Sequence, residues 1–268
     1  PGYSKIARIY RGSGAEVAAI PLDEAGLSVR ELRRSGADVV HISPSHHYPT
    51  GLVMPIARRQ ELLRWAQERP ERIILEDDYD SEFRFVGRPI PTLFSIDGGE
   101  QVVYLNTFSK TIAPSIRISF MVLPRHLLAD FREKLGFFAC TVSAFEQYTL
   151  ARFLSDGYYE KHLSRMRKHY RQKRDAVIAA VRQSPLAPHA TITEEDAGLH
   201  FLLRLDGAPP DEVLRREAEA RGIRLAMLSD YYQRPGEVPQ HVLVVNYTGI
   251  DLERLPAALE RLAELWNE

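Results

Sequence analysis

The stretch Arg72-Ile73-Ile74-Leu75-Glu76-Asp77-Asp78-Tyr79-Asp80-Ser81-Glu82-Phe83 passes abruptly from a β-branched apolar run to a run of carboxylates. Arg72 to Leu75 has the composition of a short buried strand, so the acidic residues fall at its C-terminal end. A carboxylate at the end of a buried strand is costly to desolvate, and Asp77 therefore needs a cationic or hydrogen-bonding partner. An ordinary salt bridge to one of the many arginines meets that need as well as a functional site does, so Asp77 alone decides nothing. A calcium loop starting at Asp78 is excluded, because it would need glycine where Phe83 stands.

Outward from this stretch the pattern repeats. Upstream, Val39 to Ser43 reads as a strand, a Pro/His/Gly loop follows, and Pro55 to Glu68 carries Ile56, Leu62, Leu63 and Trp65 at helical spacing. Ser4 to Arg11 reads as a helix and Glu16 to Ile20 as a strand. Downstream, Val102 to Leu105 and Ile118 to Leu123 read as strands separated by a polar loop with Pro114. Strands that alternate with helices and end in polar residues indicate an α/β sheet with its crevice beyond the strand ends. After Cys140 the style changes: helices at Ala144 to Leu154 and Tyr158 to Gln183, a strand at Leu199 to Leu205, a helix at Asp211 to Arg221, a strand at Val242 to Tyr247 and a closing helix at Leu252 to Trp266. The expected division is a larger α/β domain over 1–155 and a smaller α+β domain over 156–268.

With 35 Lys plus Arg against 36 Asp plus Glu, the formal charge of −1 excludes a uniformly basic nucleic-acid binder. Any basic contact surface must be local. The run Lys161 to Arg174, which has seven basic residues (Lys161, Arg165, Arg167, Lys168, Arg171, Lys173 and Arg174) and no acidic one, reads as a solvated helix face, with a DNA or domain contact as the functional alternative. One cysteine excludes an internal disulfide framework, and no apolar run is long enough for a membrane span. A cytoplasmic protein is expected. The adjacent pair His46-His47 lacks a third ligand at suitable spacing, which argues against a metal.

Lys110 follows a strand in the run Asn106-Thr107-Phe108-Ser109-Lys110, and a lysine flanked by Phe108 and Ile112 is placed for desolvation, as a Schiff-base lysine requires. Arg117, seven residues on, offers paired donors suited to a phosphate. Asp77 with Tyr79, Thr107 with Ser109 and Lys110, then Arg117, all follow consecutive strands. That set matches what pyridoxal 5′-phosphate demands: an aldehyde trap, an acid for the ring nitrogen, a donor to the phenolic oxygen, and hydroxyl and guanidinium groups for the phosphate.

The runs His41-Ile42-Ser43-Pro44-Ser45-His46-His47-Tyr48-Pro49-Thr50-Gly51, Glu76 to Phe83 and Thr107-Phe108-Ser109-Lys110 resemble the aminotransferase-like effector domain of MocR-type regulators in the GntR superfamily. The resemblance runs from Pro1 to about the last helix. It implies a fold-type I pyridoxal phosphate module with a mostly parallel sheet, helices on both faces and a small C-terminal domain, its N-terminal part lying before Pro1. It implies Lys110 as the lysine bonded to the cofactor, Asp77 at the ring nitrogen, Tyr79 at the phenolic oxygen, and Thr107, Ser109 and Arg117 near the phosphate. It also implies a small amine or amino acid effector, a homodimer, and DNA binding through an N-terminal winged-helix domain that this chain lacks. Two departures stand out. Tyr48 occupies the place of the asparagine in the usual Asn-Pro-Thr-Gly, so His46 or His47 is the expected substitute donor. The run Leu243-Val244-Val245-Asn246-Tyr247-Thr248 lacks the arginine that usually takes a substrate carboxylate. The competing reading is a free-standing aminotransferase that moves an amino group between an amino acid and a keto acid.

Overall fold

The computed structural model describes residues 1–87, 90–98, 100–233 and 238–266. The chain begins with helix α1 (Ser4–Gly12), a small hairpin of β1 (Leu22–Asp23) and β2 (Gly26–Leu27), and helix α2 (Val29–Ser35). Next come β3 (Val39–Ile42), α3 (Ile56–Gln67), β4 (Ile73–Asp77), α4 (Leu93–Asp97), β5 (Val102–Thr107) and β6 (Ser119–Val122). Among the described residues these strands make a four-stranded sheet in the order β3-β4-β5-β6, with β3, β4 and β5 parallel and β6 antiparallel at the edge.

Alternation along β4 explains how its two faces divide. Ile74 and Glu76 point into a core with Val40, Ile42, Leu62, Trp65, Leu93 and Val102, while Asp77 shares the other face with Leu75. Glu76 is fully buried, and its carboxylate accepts from the N–H groups of Leu93 (2.8 Å) and Phe94 (2.9 Å) at the start of α4. The equally buried Arg59 stands 3.6 Å away and donates to the carbonyls of Met54, Pro91 and Pro44. Such a pair is tolerated inside only because nearly every polar atom has a partner. Its effect is to fix the loops after β3 and before α4 against β4.

The expected strand at Glu16 to Ile20 does not form. That apolar run has no neighbouring strand to satisfy its backbone, and pairing begins only after Pro21, where Leu22 meets Leu27 across a turn. The other expected strands stand where the sequence placed them, within two residues at each end, and α7 (Tyr158–Gln183) does so at both ends, while the short strands at Leu22–Asp23, Gly26–Leu27 and Ala190–Thr193 are not among those expected.

The rest of the chain comprises α5 (Leu128–Leu135), α6 (Ala144–Ser155), α7, β7 (Ala190–Thr193), β8 (His200–Leu205), α8 (Asp211–Ala220), β9 (Val242–Asn246) and α9 (Leu255–Ala263). β7, β8 and β9 form an antiparallel sheet in that order. Its core joins Phe201, Leu203 and Leu205 to Val177, Ile178 and Val181 of α7, to Leu214 of α8 and to Leu259 and Leu262 of α9. Phe83 and Phe85, which follow β4, also belong to this second core. The acidic loop is therefore anchored on one side by the parallel sheet and on the other by the antiparallel one.

The basic residues of α7 divide by position. Arg167 donates to the Glu82 carbonyl, Arg171 to that of Phe85, Lys173 to that of Thr248 and Arg174 to that of Glu195. These side chains donate to loop carbonyls, so this part of the run does more than face solvent, although Arg167 and Arg171 are themselves exposed and Lys173 and Arg174 are half-buried. Lys161, Arg165 and Lys168 nearer the N-terminal end are exposed. No helix among the described residues is long and apolar enough to cross a membrane.

Candidate functional site

The parallel register brings the ends of β3, β4 and β5 side by side, with Ile42 opposite Glu76 and Asp77 opposite Leu105. Thr107 closes β5, and the chain then turns through Phe108, Ser109 and Lys110. Thr107 Oγ1 accepts from the Ser109 N–H (3.2 Å) and lies 3.1 Å from Ser109 Oγ and 3.2 Å from the Ile118 carbonyl. These contacts, with the Phe108 N–H donating to the Ile118 carbonyl, hold the turn against the start of β6. Lys110 is exposed and has no ion pair among the described residues. Arg117 is also exposed, contacts only the Pro114 carbonyl (3.4 Å), and has a left-handed backbone at φ 48°. For a non-glycine residue that conformation is strained, and strain of this kind collects where a side chain must be aimed.

Asp77 is held by an interaction the motif did not reveal. His41 Nε2 lies 3.4 Å from Asp77 Oδ2, and the Tyr10 hydroxyl lies 2.6 Å from His41 Nδ1. The other carboxylate oxygen of Asp77 accepts no hydrogen bond among the described residues. A signal for His41 was present, since in a strand it shares a face with the residues two away and its register partner is Leu75, two before Asp77. Nothing in the spacing marks Tyr10, because α1 is remote in sequence and meets the sheet only through the fold.

His46, Tyr48 and Tyr79 lie together, behind the strand ends. His46 is 1% exposed, and its Nδ1 is 2.8 Å from Asp80 Oδ2 and 3.2 Å from the Tyr79 hydroxyl, while Nε2 has no partner. Burial first, and the Asp80 carboxylate next, push the Tyr79 phenol well above its ordinary pKa, so it stays protonated. The ring of His46 is 4.4 Å from that of His200, centroid to centroid. His200 is 3% exposed, with Nε2 3.0 Å from the Pro49 carbonyl. Burial pushes its pKa down to about 3, with the charges of His46 and, less strongly, Lys110 acting in the same direction. Tyr48 stacks edge-on against His200 and shares a 2.6 Å contact with the Tyr231 hydroxyl. His47 is turned away, its Nδ1 2.7 Å from Thr50 Oγ1.

Two glycines permit this seam between the loop after β3 and the segment before β8. A Cβ on Gly198, at φ 70°, would come within 1.8 Å of the His46 ring, and one on Gly51, at φ 77°, within 2.5 Å of Glu194 Cβ. Only glycine allows both the left-handed backbone and the close approach.

The donor set fits a phosphorylated pyridine aldehyde. An amine at Lys110 and a guanidinium at Arg117, neither in an ion pair among the described residues, a carboxylate with one open oxygen at Asp77, and hydroxyls at Thr107 and Ser109 supply one group for each end of such a molecule. Residues 1–262 match the family model for aminotransferase class I and II. The chain is 35% identical to the uncharacterized HTH-type transcriptional regulator YdeL of Bacillus subtilis (strain 168), covering 100% of this chain and 57% of that protein. It is also 35% identical to the probable rhizopine catabolism regulatory protein MocR of Rhizobium meliloti, covering 98% and 52%. The chain thus spans about half the length of these curated relatives. Among solved structures, kynurenine aminotransferase of Pyrococcus horikoshii, in complex with PMP, superposes with a TM-score of 0.85 at 26% identity, over 100% of this chain and 67% of that one. The fold is that of the fold-type I aminotransferases, with a mostly parallel sheet and a C-terminal antiparallel sheet.

Proposed function

Because the chain belongs to the aminotransferase class I and II family, we propose that it is the pyridoxal phosphate-binding, effector-sensing domain of a transcriptional regulator. A small amine or amino acid is its ligand. DNA contact falls to a winged-helix domain outside this chain, and the working unit is a cytoplasmic homodimer. In this reading 1–155 supply the larger, cofactor-binding domain and 156–268 the smaller one.

The observation that carries the reading is the placement of Asp77 and Thr107 at the ends of adjacent parallel strands, with Lys110 in the turn that follows, exposed and unpaired. The choice of regulator over enzyme follows the relatives, since regulators reach 35% identity along nearly the whole chain and the aminotransferase 26%. Pyridoxal 5′-phosphate is the cofactor of this fold; when bound it supplies an aldehyde onto which amines exchange and a ring that withdraws electrons. Lys110 provides the amine that holds the aldehyde. Asp77 keeps a proton on the ring nitrogen through its open oxygen. Tyr79, fixed as a neutral phenol, is the donor on the phenolic side, with His46 and Asp80 behind it. Ser109, Thr107 and Arg117 take the phosphate. Tyr48 packs edge-on against His200, which burial keeps uncharged.

The test is an absorbance titration with pyridoxal phosphate, followed by a panel of amines and amino acids with and without a keto acid acceptor. The expected result is a saturable spectral change for a narrow ligand class without sustained keto acid formation. Sustained turnover would favour the free-standing aminotransferase instead.

A further inference from the structure

Asp77 is the end of a hydrogen-bonded chain that starts on a different element. Tyr10 on α1, His41 on β3 and Asp77 on β4 are linked by contacts of 2.6 Å and 3.4 Å. With a proton on Nε2 alone, His41 accepts from the Tyr10 O–H at Nδ1 and donates from Nε2 to the Asp77 carboxylate, which can only accept when ionised. Burial and then the Asp77 charge push the Tyr10 phenol up, which keeps it a donor. The link to Asp77 is long, so the carboxylate is tethered while its other oxygen stays open.

We propose that Tyr10 and His41 are positioning residues for Asp77, holding it as an oriented anion toward the cofactor's ring nitrogen and so tying the seating of α1 to occupancy of the site. This rests on the reading of Asp77 as the ring-nitrogen partner. α1 is suited to the role, because it contributes one buried residue, Ala7, and has no side-chain cap at its N-terminus. Just before it, the Gly2 N–H donates to the Tyr231 carbonyl at 3.0 Å and Tyr3 packs edge-on against Tyr48. An element with so few buried contacts responds to a single added interaction. When the ring nitrogen engages Asp77, the carboxylate and His41 are fixed together, and Tyr10 gains an ordered acceptor.

The experiment is a double-mutant cycle on the protein: wild type, Tyr10→Phe, Asp77→Asn and the double variant, with His41→Gln as a second probe. Pyridoxal phosphate affinity is read by absorbance titration, and amide hydrogen exchange of α1 is read with and without the cofactor. Thermal midpoints without cofactor confirm that each variant folds. Tyr10→Phe is expected to weaken affinity about 5- to 10-fold, as for one lost hydrogen bond in a charged chain. That loss should vanish in the Asp77→Asn background. Wild-type α1 should exchange more slowly once the cofactor binds, and this protection should be lost in Tyr10→Phe and His41→Gln. Equal losses in both backgrounds, or protection that survives Tyr10→Phe, would overturn the coupling while leaving Asp77 at the ring. An Asp77→Asn variant with wild-type affinity and spectrum would instead overturn the underlying assignment, and the coupling with it.

Discussion

Asp77 and Asp78 are neighbours with opposite surroundings. Asp78 is 3% exposed, and its Oδ2 accepts from Ser81 Oγ at 2.7 Å and Tyr104 OH at 2.8 Å. It braces the turn after β4. Asp78→Asn should therefore lower stability by about 1–3 kcal/mol in denaturant unfolding, with a small effect on cofactor affinity. Asp77→Asn should do the reverse, weakening cofactor binding with little change in stability, because its carboxylate keeps an open oxygen. His200 supplies a pH test. Its folded pKa of about 3 lies below the ordinary histidine value, so below pH ~6.5 the unfolded chain binds a proton that the folded chain does not. The stability it contributes is fully present above that pH and is lost as pH falls toward 3. Between pH 6 and 4 the wild type should lose about 1.4 kcal/mol per unit more than His200→Phe does, measured by urea unfolding at each pH.

At the scale of elements, α7 shows what its charge run is for. Arg174 donates to the Glu195 carbonyl at 2.8 Å and packs its guanidinium over Phe85, whereas the exposed Arg165 reaches only the Lys161 carbonyl of its own helix. Arg174→Ala should cost about 1–2 kcal/mol in chemical denaturation, and Arg165→Ala less than about 0.5 kcal/mol. The strands that flank the site were legible because each is a short apolar run followed by polar or turn residues, as in Val39 to Ser43 and Arg72 to Leu75. The antiparallel direction of β6 follows from its connection, since the loop through Pro114 carries no crossover helix of the kind a parallel neighbour needs. Lys110, Asp77, Thr107 and Arg117 could be grouped from the sequence because Asp77 ends β4, Thr107 ends β5, and Lys110 and Arg117 lie in the loop after it. Tyr10 could not, since its hydrogen bond to a residue 31 positions away leaves no local pattern, while strand alternation carried only a partial signal for His41. Similarly, the buried place of His200 depends on the loop around Pro49 meeting β8, which no periodicity encodes.

Across the whole molecule, β4 and the acidic loop after it tie the two cores together. Phe83 and Phe85 carry the acidic loop into the second core, and His46 wedges between Asp80 and Gly198. Gly198→Ala would place a methyl group against the His46 ring in a left-handed backbone and should lower stability by about 2 kcal/mol or more, read as a fall in the denaturant midpoint. The proposal stands or falls on a pyridine aldehyde being held at Lys110. Its most direct test is borohydride reduction of the protein with pyridoxal phosphate, followed by peptide mapping by mass spectrometry. The account predicts one predominant pyridoxyl adduct, on Lys110, that is lost in Lys110→Ala. An adduct of equal yield on another lysine such as Lys5 or Lys161, or no adduct above a denatured control, would contradict it.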